Sequence, residues 1–147
     1  MNEFSIMVVD DEEADRYILI RKLRSAGLSF EAFEASDGQE ALDFLGNYEQ
    51  NSHDHGEKIP PLIIFLDINM PLVNGFEFLD SFEDMRASQA AYLTCVIMMF
   101  SSSQRREDQI RAFDKQFVKD FIVKGKTAPD EIRAKVESAV QKLRSSH

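Results

Sequence analysis

Short apolar runs alternate with longer segments of helical periodicity along the whole chain, and that alternation restricts the fold more than any other feature. A strand buried on both faces reads as a continuous apolar run, and a helix crossing a parallel sheet reads as a stripe at i, i+3, i+4 and i+7. Five such pairs are present. Ser5 to Val9 is the first expected strand, followed by a helix from about Ala14 to Ala26 that aligns Leu19, Leu23 and Ala26 before Gly27 ends it. Phe30 to Ala35 is the second strand. Asp37 with Glu40 has the form of a capping box, opening a helix that turns Ala41, Leu42 and Leu45 inward and closes at Gly46. Leu62 to Leu66 is the third strand, and Asn74 with Glu77 opens a helix continued by Phe78, Leu79 and Phe82. Val96 to Phe100 is the fourth, followed by a polar helix from about Gln104 to Asp114 and a short fifth strand, Phe121 to Val123. The last helix has Thr127 as its expected cap and Pro129 in its first turn. Asp130 and Glu131 sit at its positive end, and Ile132, Val136, Ala139, Val140 and Leu143 form its stripe.

The 147 residues suit one core and one domain spanning 1–147, with no repeat, low-complexity tract or second composition regime. Asn47 to Pro61 exceeds the usual connection length and reads as a mobile, solvated surface insert. Its His53, Asp54, His55 and Glu57 are metal-ligand types, but a polar loop is the preferred reading. Lys plus Arg (17) against Asp plus Glu (26) gives a net charge of −9, so nucleic acid and anionic membrane meet repulsion and neither is an expected partner. The single cysteine, Cys95, lies in an apolar run and reads as a buried thiol in a reducing compartment. Met1-Asn2-Glu3-Phe4 lacks the start of a signal peptide, and no apolar run approaches membrane-spanning length. The expected location is the cytoplasm.

Open parallel sheets bind ligands outside the carboxyl ends of their strands. There the sequence places Asp10 and Asp11, Asp67 followed by Ile68-Asn69-Met70-Pro71, Ser101 and Ser102, and Lys124. Converging carboxylates repel by about 4 kcal/mol per close pair at an effective dielectric near 20, which a hard divalent cation relieves. Magnesium fits, because it takes oxygen ligands and leaves room for phosphate. A carboxylate can also attack phosphorus when cations neutralise the equatorial oxygens. Asp67 is then the expected nucleophile, with metal on the Asp10 and Asp11 side, Lys124 pairing with the phosphoryl group and Ser101 donating to it. Singly, each residue has an ordinary explanation as a cap, a turn residue or a surface lysine. The joint pattern argues for chemistry.

In this order the residues resemble a response-regulator receiver domain, the phosphoacceptor of two-component signalling, over nearly the whole chain. The family's paired acids resemble Val8-Val9-Asp10-Asp11, its phosphorylated aspartate and turn resemble Asp67 to Pro71 with Gly75, its switch hydroxyl Ser101 and its lysine Lys124. The resemblance implies an α/β, flavodoxin-like, doubly wound fold with five helices and a five-stranded parallel sheet in the order 2-1-3-4-5. It also implies Mg2+ held by Asp11, Asp67 and the Asn69 carbonyl, with Asp10, Ser101 and Lys124 as the catalytic set. Phosphorylation of Asp67 would draw Ser101 inward and let Phe121 rotate as the switch aromatic, while Asn69 and Ser103 would influence water's access. The implied partners are a sensor histidine kinase or phosphotransfer protein and a downstream protein target; a homodimer is left open. The protein is expected to act as a stand-alone signalling module, not a metabolic enzyme.

Two departures stand out. Lys124 precedes Gly125 where the family has proline, so a trans bond is expected, a cis bond costing about 2.5–4 kcal/mol. Lys126 is a second candidate phosphate partner, with a solvated position preferred. The turn Lys115 to Lys119 lacks the family's Gly-Ala, and Phe113 and Phe117 there either form a partner patch or pack inward. These departures motivate an alternative, a phosphorylation-independent interaction module. An aspartyl-phosphate hydrolase is less favoured, because no cap domain and no general acid beyond Asp10 are apparent. A nucleotide or flavin fold is set aside, because Asp10-Asp11-Glu12-Glu13 replaces a glycine-rich phosphate cradle.

Overall fold

The computed structural model describes residues 4–145. Five strands, β1 (Phe4–Val9), β2 (Phe30–Ala35), β3 (Ile63–Leu66), β4 (Val96–Ser101) and β5 (Val118–Val123), form one parallel sheet in the order β2-β1-β3-β4-β5. The helices are α1 (Glu13–Ser25), α2 (Gly38–Gly46), α3 (Tyr48–His55), α4 (Gly75–Ser88), α5 (Arg106–Phe113) and α6 (Pro129–Ser145). Every residue of β3 and β4 is buried, as the unbroken apolar runs require of strands covered on both faces.

Alternation along the strands divides the core in two. Met7, Val9, Ile64, Leu66, Ile97 and Met99 pack against α2, α4 and α5, whereas Ile6, Val8, Ile63, Phe65, Met98 and Phe100 pack against α1 and α6. Phe82 anchors the first layer: it stacks on Phe78 with centroids 5.6 Å apart and meets Phe117 edge-on at 5.5 Å. Truncating so buried a ring to alanine costs about 3–5 kcal/mol.

The structure corrects several expectations. There are six α-helices among the described residues rather than five, because the segment read as a mobile polar loop contains α3 and a 3-10 turn at Gly56–Lys58. That helix has no apolar stripe to betray it. It is held by tertiary contacts: Asn51 Nδ2 donates to the Phe44 carbonyl at 2.5 Å, Tyr48 meets Tyr92 edge-on at 5.7 Å, and His55 meets Phe33 at 5.0 Å. His53, Asp54, His55 and Glu57 are exposed and form no metal-ligand cluster. β5 begins three residues earlier than expected, at Val118, because Lys119 and Asp120 interrupt its apolar run on the sheet edge. A register shift between Ile97 and Met98 absorbs Lys119, so that Ser101 still pairs with Val123. Thr127 is not the helix cap: its hydroxyl donates to the Val123 carbonyl at 3.3 Å, and the first turn of α6 closes on the Ala128 carbonyl. With Pro129 as the first helical residue, the cap position falls on Ala128.

The two phenylalanines before β5 part ways, Phe117 at 3% exposure under Arg86 and Phe113 at 47% exposure. Cys95 is fully buried, and burial pushes its thiol pKa well up. The Lys124–Gly125 bond is trans, the one cis bond among the described residues preceding Pro60. No helix among the described residues is long and apolar enough to cross a membrane.

Candidate functional site

The sheet's own hydrogen bonds bring the predicted residues together. The Asp10 amide donates to the Ala35 carbonyl at 3.1 Å and the Asp67 amide to the Val9 carbonyl at 3.0 Å, so both acids extend directly from the β1 ladders. The Lys124 amide donates to the Ser101 carbonyl at 2.9 Å, fixing those two residues side by side. Gly75 lies beneath the acidic loop: its amide donates to the Ile68 carbonyl at 2.7 Å, and a Cβ there would stand 2.4 Å from the Asp67 carbonyl oxygen. A complete capping box between Asn74 and Glu77 then starts α4, as the sequence predicted.

Asp10 is 0% exposed and Asp67 6%, while Asp11 is exposed. One carboxylate oxygen from each of the three lies within 4.8 Å of the others. Asp10 Oδ1 accepts from the Glu12 amide at 2.9 Å, and Asp67 Oδ1 from the Ile68 amide at 2.8 Å. Asp10 Oδ2 is buried without a well-angled hydrogen bond; its contact is the ion pair to Lys124 Nζ at 2.6 Å. The same ammonium stands 3.0 Å from Asp15 Oδ2 and 3.3 Å from Asp67 Oδ2, and 5.5 Å from the centre of the Phe100 ring.

These contacts set the charge state. Burial raises the Asp67 carboxyl above its ordinary range, with Asp10 adding to the effect and Lys124 opposing it. For Lys124, burial works against the charge, but Asp10, Asp15 and Asp67 outweigh it and raise the ammonium pKa. Three carboxylates thus share one ammonium, with the Asp11 carboxylate beside them, leaving negative charge and a buried, under-bonded oxygen at the nest. That donor set suits a hard divalent cation.

Ser101 Oγ is fully buried and accepts from the Ser103 amide at 3.2 Å; the Ser103 hydroxyl donates to Asp108 Oδ2 at 2.5 Å. Ser102, Asn69 and Lys126 are exposed, and Phe121 is half-buried against the α4 side of the core, paired in register with Met99. Gly125 takes φ +73°, a left-handed value natural to glycine, and the lysine before it still reaches both acids. An open cavity of about 420 Å3 adjoins the loop, lined by Asn69, Asn74, Ser103, Arg105 and Arg111 among others.

Two residues of α1 escaped sequence reasoning. Asp15 pairs with Lys124, and Arg16 donates through Nη1 to the Asp10 carbonyl at 2.6 Å while its Nε pairs with Glu34 at 3.1 Å. Their only sequence signal is position, on the first turns after the Asp10-Asp11 loop.

A doubly wound parallel sheet with acids, hydroxyl and lysine collected at its carboxyl edge defines a small class of signalling domains. The model of the response regulator receiver domain matches residues 6–137, and the chain belongs to that family, the receiver module of two-component signal transduction. It is 26% identical over 121 residues to the probable methanogenesis regulatory protein FilR2 of Methanothrix harundinacea, covering 82% of this chain and 72% of that one. Against the sensor histidine kinase CheAY of Helicobacter pylori it is 32% identical over 77 residues, which is 52% of this chain but only 8% of the kinase. A two-component response regulator from Cytophaga hutchinsonii superposes with a TM-score of 0.77 at 23% identity, covering 99% of both chains, and establishes the likeness of fold.

Proposed function

We propose that residues 1–147 act as one cytoplasmic receiver domain that accepts a phosphoryl group on Asp67 from a sensor histidine kinase or phosphotransfer protein. The observation that carries this reading is the Lys124 ammonium lying between Asp10 and Asp67, at 2.6 and 3.3 Å, beside a third convergent carboxylate, Asp11. In the transfer an Asp67 oxygen bonds to phosphorus as the bond from phosphorus to the donor's imidazole nitrogen breaks. The electron pair leaves with the imidazole, which takes a proton from solvent. Lys124 holds the charge that develops on the phosphoryl oxygens, and the Ser101 hydroxyl donates to one of them. Asp11, Asp67 and the Asn69 carbonyl would hold Mg2+, which would supply further positive charge there, with Asp10 assisting beside it.

The signal passes to a downstream protein through a change in packing. The Ser101 hydroxyl, whose oxygen accepts from the Ser103 amide at rest, turns to donate its proton to a phosphoryl oxygen, and half-buried Phe121 moves into the space released on the α5 side of the sheet. Phe121 lacks a hydroxyl, so its inward state gains packing alone.

Incubation with acetyl phosphate and Mg2+ tests the assignment. Labelling that is lost on chelation and lost in Asp67→Asn is the expected result; labelling unchanged in Asp67→Asn overturns it.

A further inference from the structure

The three anions around Lys124 differ in what each loses if the ammonium turns away. Asp10 is 0% exposed and cannot be rehydrated, and the Asp67 side chain, at 8%, is the one that receives the new group. Asp15 is different: on the first turn of α1 its side chain keeps 35% exposure, yet it lies 3.0 Å from Lys124 Nζ in hydrogen-bond geometry, closer than Asp67. The ammonium donates hydrogen bonds to Asp15 and Asp67 and stands against Asp10 as an ion pair, so three carboxylates already compete for its three protons. A phosphoryl group on Asp67 adds oxygens that need the same protons. One resting partner must release the lysine, and Asp15 is the one that water can serve in its place.

We infer that Asp15 is a resting-state latch on Lys124, holding the ammonium in the unmodified protein and releasing it to the anion that binds at Asp67. The inference rests on the reading of Asp67 as phosphoacceptor. Asp15 touches neither the metal ligands' cation nor the transferred group in this scheme and is a positioning residue. A contact made only in the resting state opposes anion binding by its own free energy. For a partly exposed ion pair that corresponds to about a two- to fivefold change in an equilibrium constant.

Beryllofluoride, a phosphoryl mimic, reads this directly by isothermal titration at saturating Mg2+. Wild type, Asp15→Asn, Asp15→Ala, Glu13→Gln and Asp67→Asn are compared as full chains, with the unfolding midpoint of each recorded. The expected result is about two- to fivefold tighter binding in both Asp15 variants, no gain in Glu13→Gln, and no binding in Asp67→Asn. Glu13 is an exposed acid of the same turn, so an equal gain there means that general charge, not a latch, controls affinity, and overturns the inference. Unchanged or weaker binding in the Asp15 variants also overturns it while leaving the acceptor assignment intact. Failure of the wild type to bind at all defeats the acceptor assignment itself.

Discussion

Lys124 Nζ lies 3.3 Å from Asp67 Oδ2 although 57 positions separate the two residues. The Lys124 amide is bonded to the Ser101 carbonyl and the Asp67 amide to the Val9 carbonyl, so the sheet ladder itself sets the separation. The sheet therefore fixes the two backbones that carry the pair, the lysine stem leaves the ammonium free to shift among its acids, and the energetic consequences are open to test.

Lys124→Met leaves Asp10 and Asp67 buried without the cation they share. Urea unfolding without metal should show a loss of about 3 kcal/mol, part of it restored by Mg2+. Acetyl phosphate labelling should slow about 100-fold. A variant as stable and as fast as wild type contradicts the role given to the lysine.

Asp11 is exposed, so Asp11→Asn should move metal-free stability by no more than about 0.5 kcal/mol. The same change should weaken Mg2+ binding at least about 10- to 100-fold, the loss typical of removing even an outer-sphere partner. Thermal unfolding across an Mg2+ titration separates the two effects.

Asp67 gives a pH dependence with a definite sign. Burial disfavours its ionised form, Lys124 opposes that and Asp10 adds to it, so the folded-state pKa is raised above the unfolded value. The folded protein then binds this proton more tightly than the unfolded chain, and metal-free stability falls as pH rises through the folded pKa. Asp67→Asn should be more stable than wild type at pH 7 in chelator, and the advantage should vanish below the unfolded carboxylate pKa of about 3.9. Unfolding midpoints across that range check the prediction; a less stable Asn variant at neutral pH contradicts it.

Gly75→Ala places a methyl 2.4 Å from the Asp67 carbonyl oxygen and 2.8 Å from the Ile68 Cα, both backbone atoms that cannot swing aside. It should destabilise by about 3 kcal/mol and weaken Mg2+ binding by displacing the acidic loop. Gly46, where a Cβ meets nothing within 4 Å, is the control: Gly46→Ala at the end of α2 should stabilise by about 0.5 kcal/mol. Equal effects at the two positions would contradict the close approach at Gly75.

Much of this was readable in the chain, and the exceptions share a cause. The runs at Ile63–Leu66 and Val96–Phe100 announce buried strands because both faces are covered, and Asn74 with Glu77 announces a helix start because its cap is local. The acids, hydroxyl and lysine could be collected because they directly follow apolar runs. What escaped depends on distant partners. α3 is polar all round and is held by Phe44, Tyr92 and Phe33 from other segments. The start of β5 is masked by edge charges that a bulge accommodates. Asp15 meets Lys124 across 109 positions, a pairing that no local pattern encodes.

The most direct measurement maps the modified residue. After acetyl phosphate treatment with Mg2+, borohydride reduction converts an acyl phosphate to homoserine, and peptide mass spectrometry locates it. Homoserine at position 67, absent when Mg2+ is chelated, is the predicted result. Homoserine at another acid, or at position 67 in equal yield without divalent metal, would contradict the account.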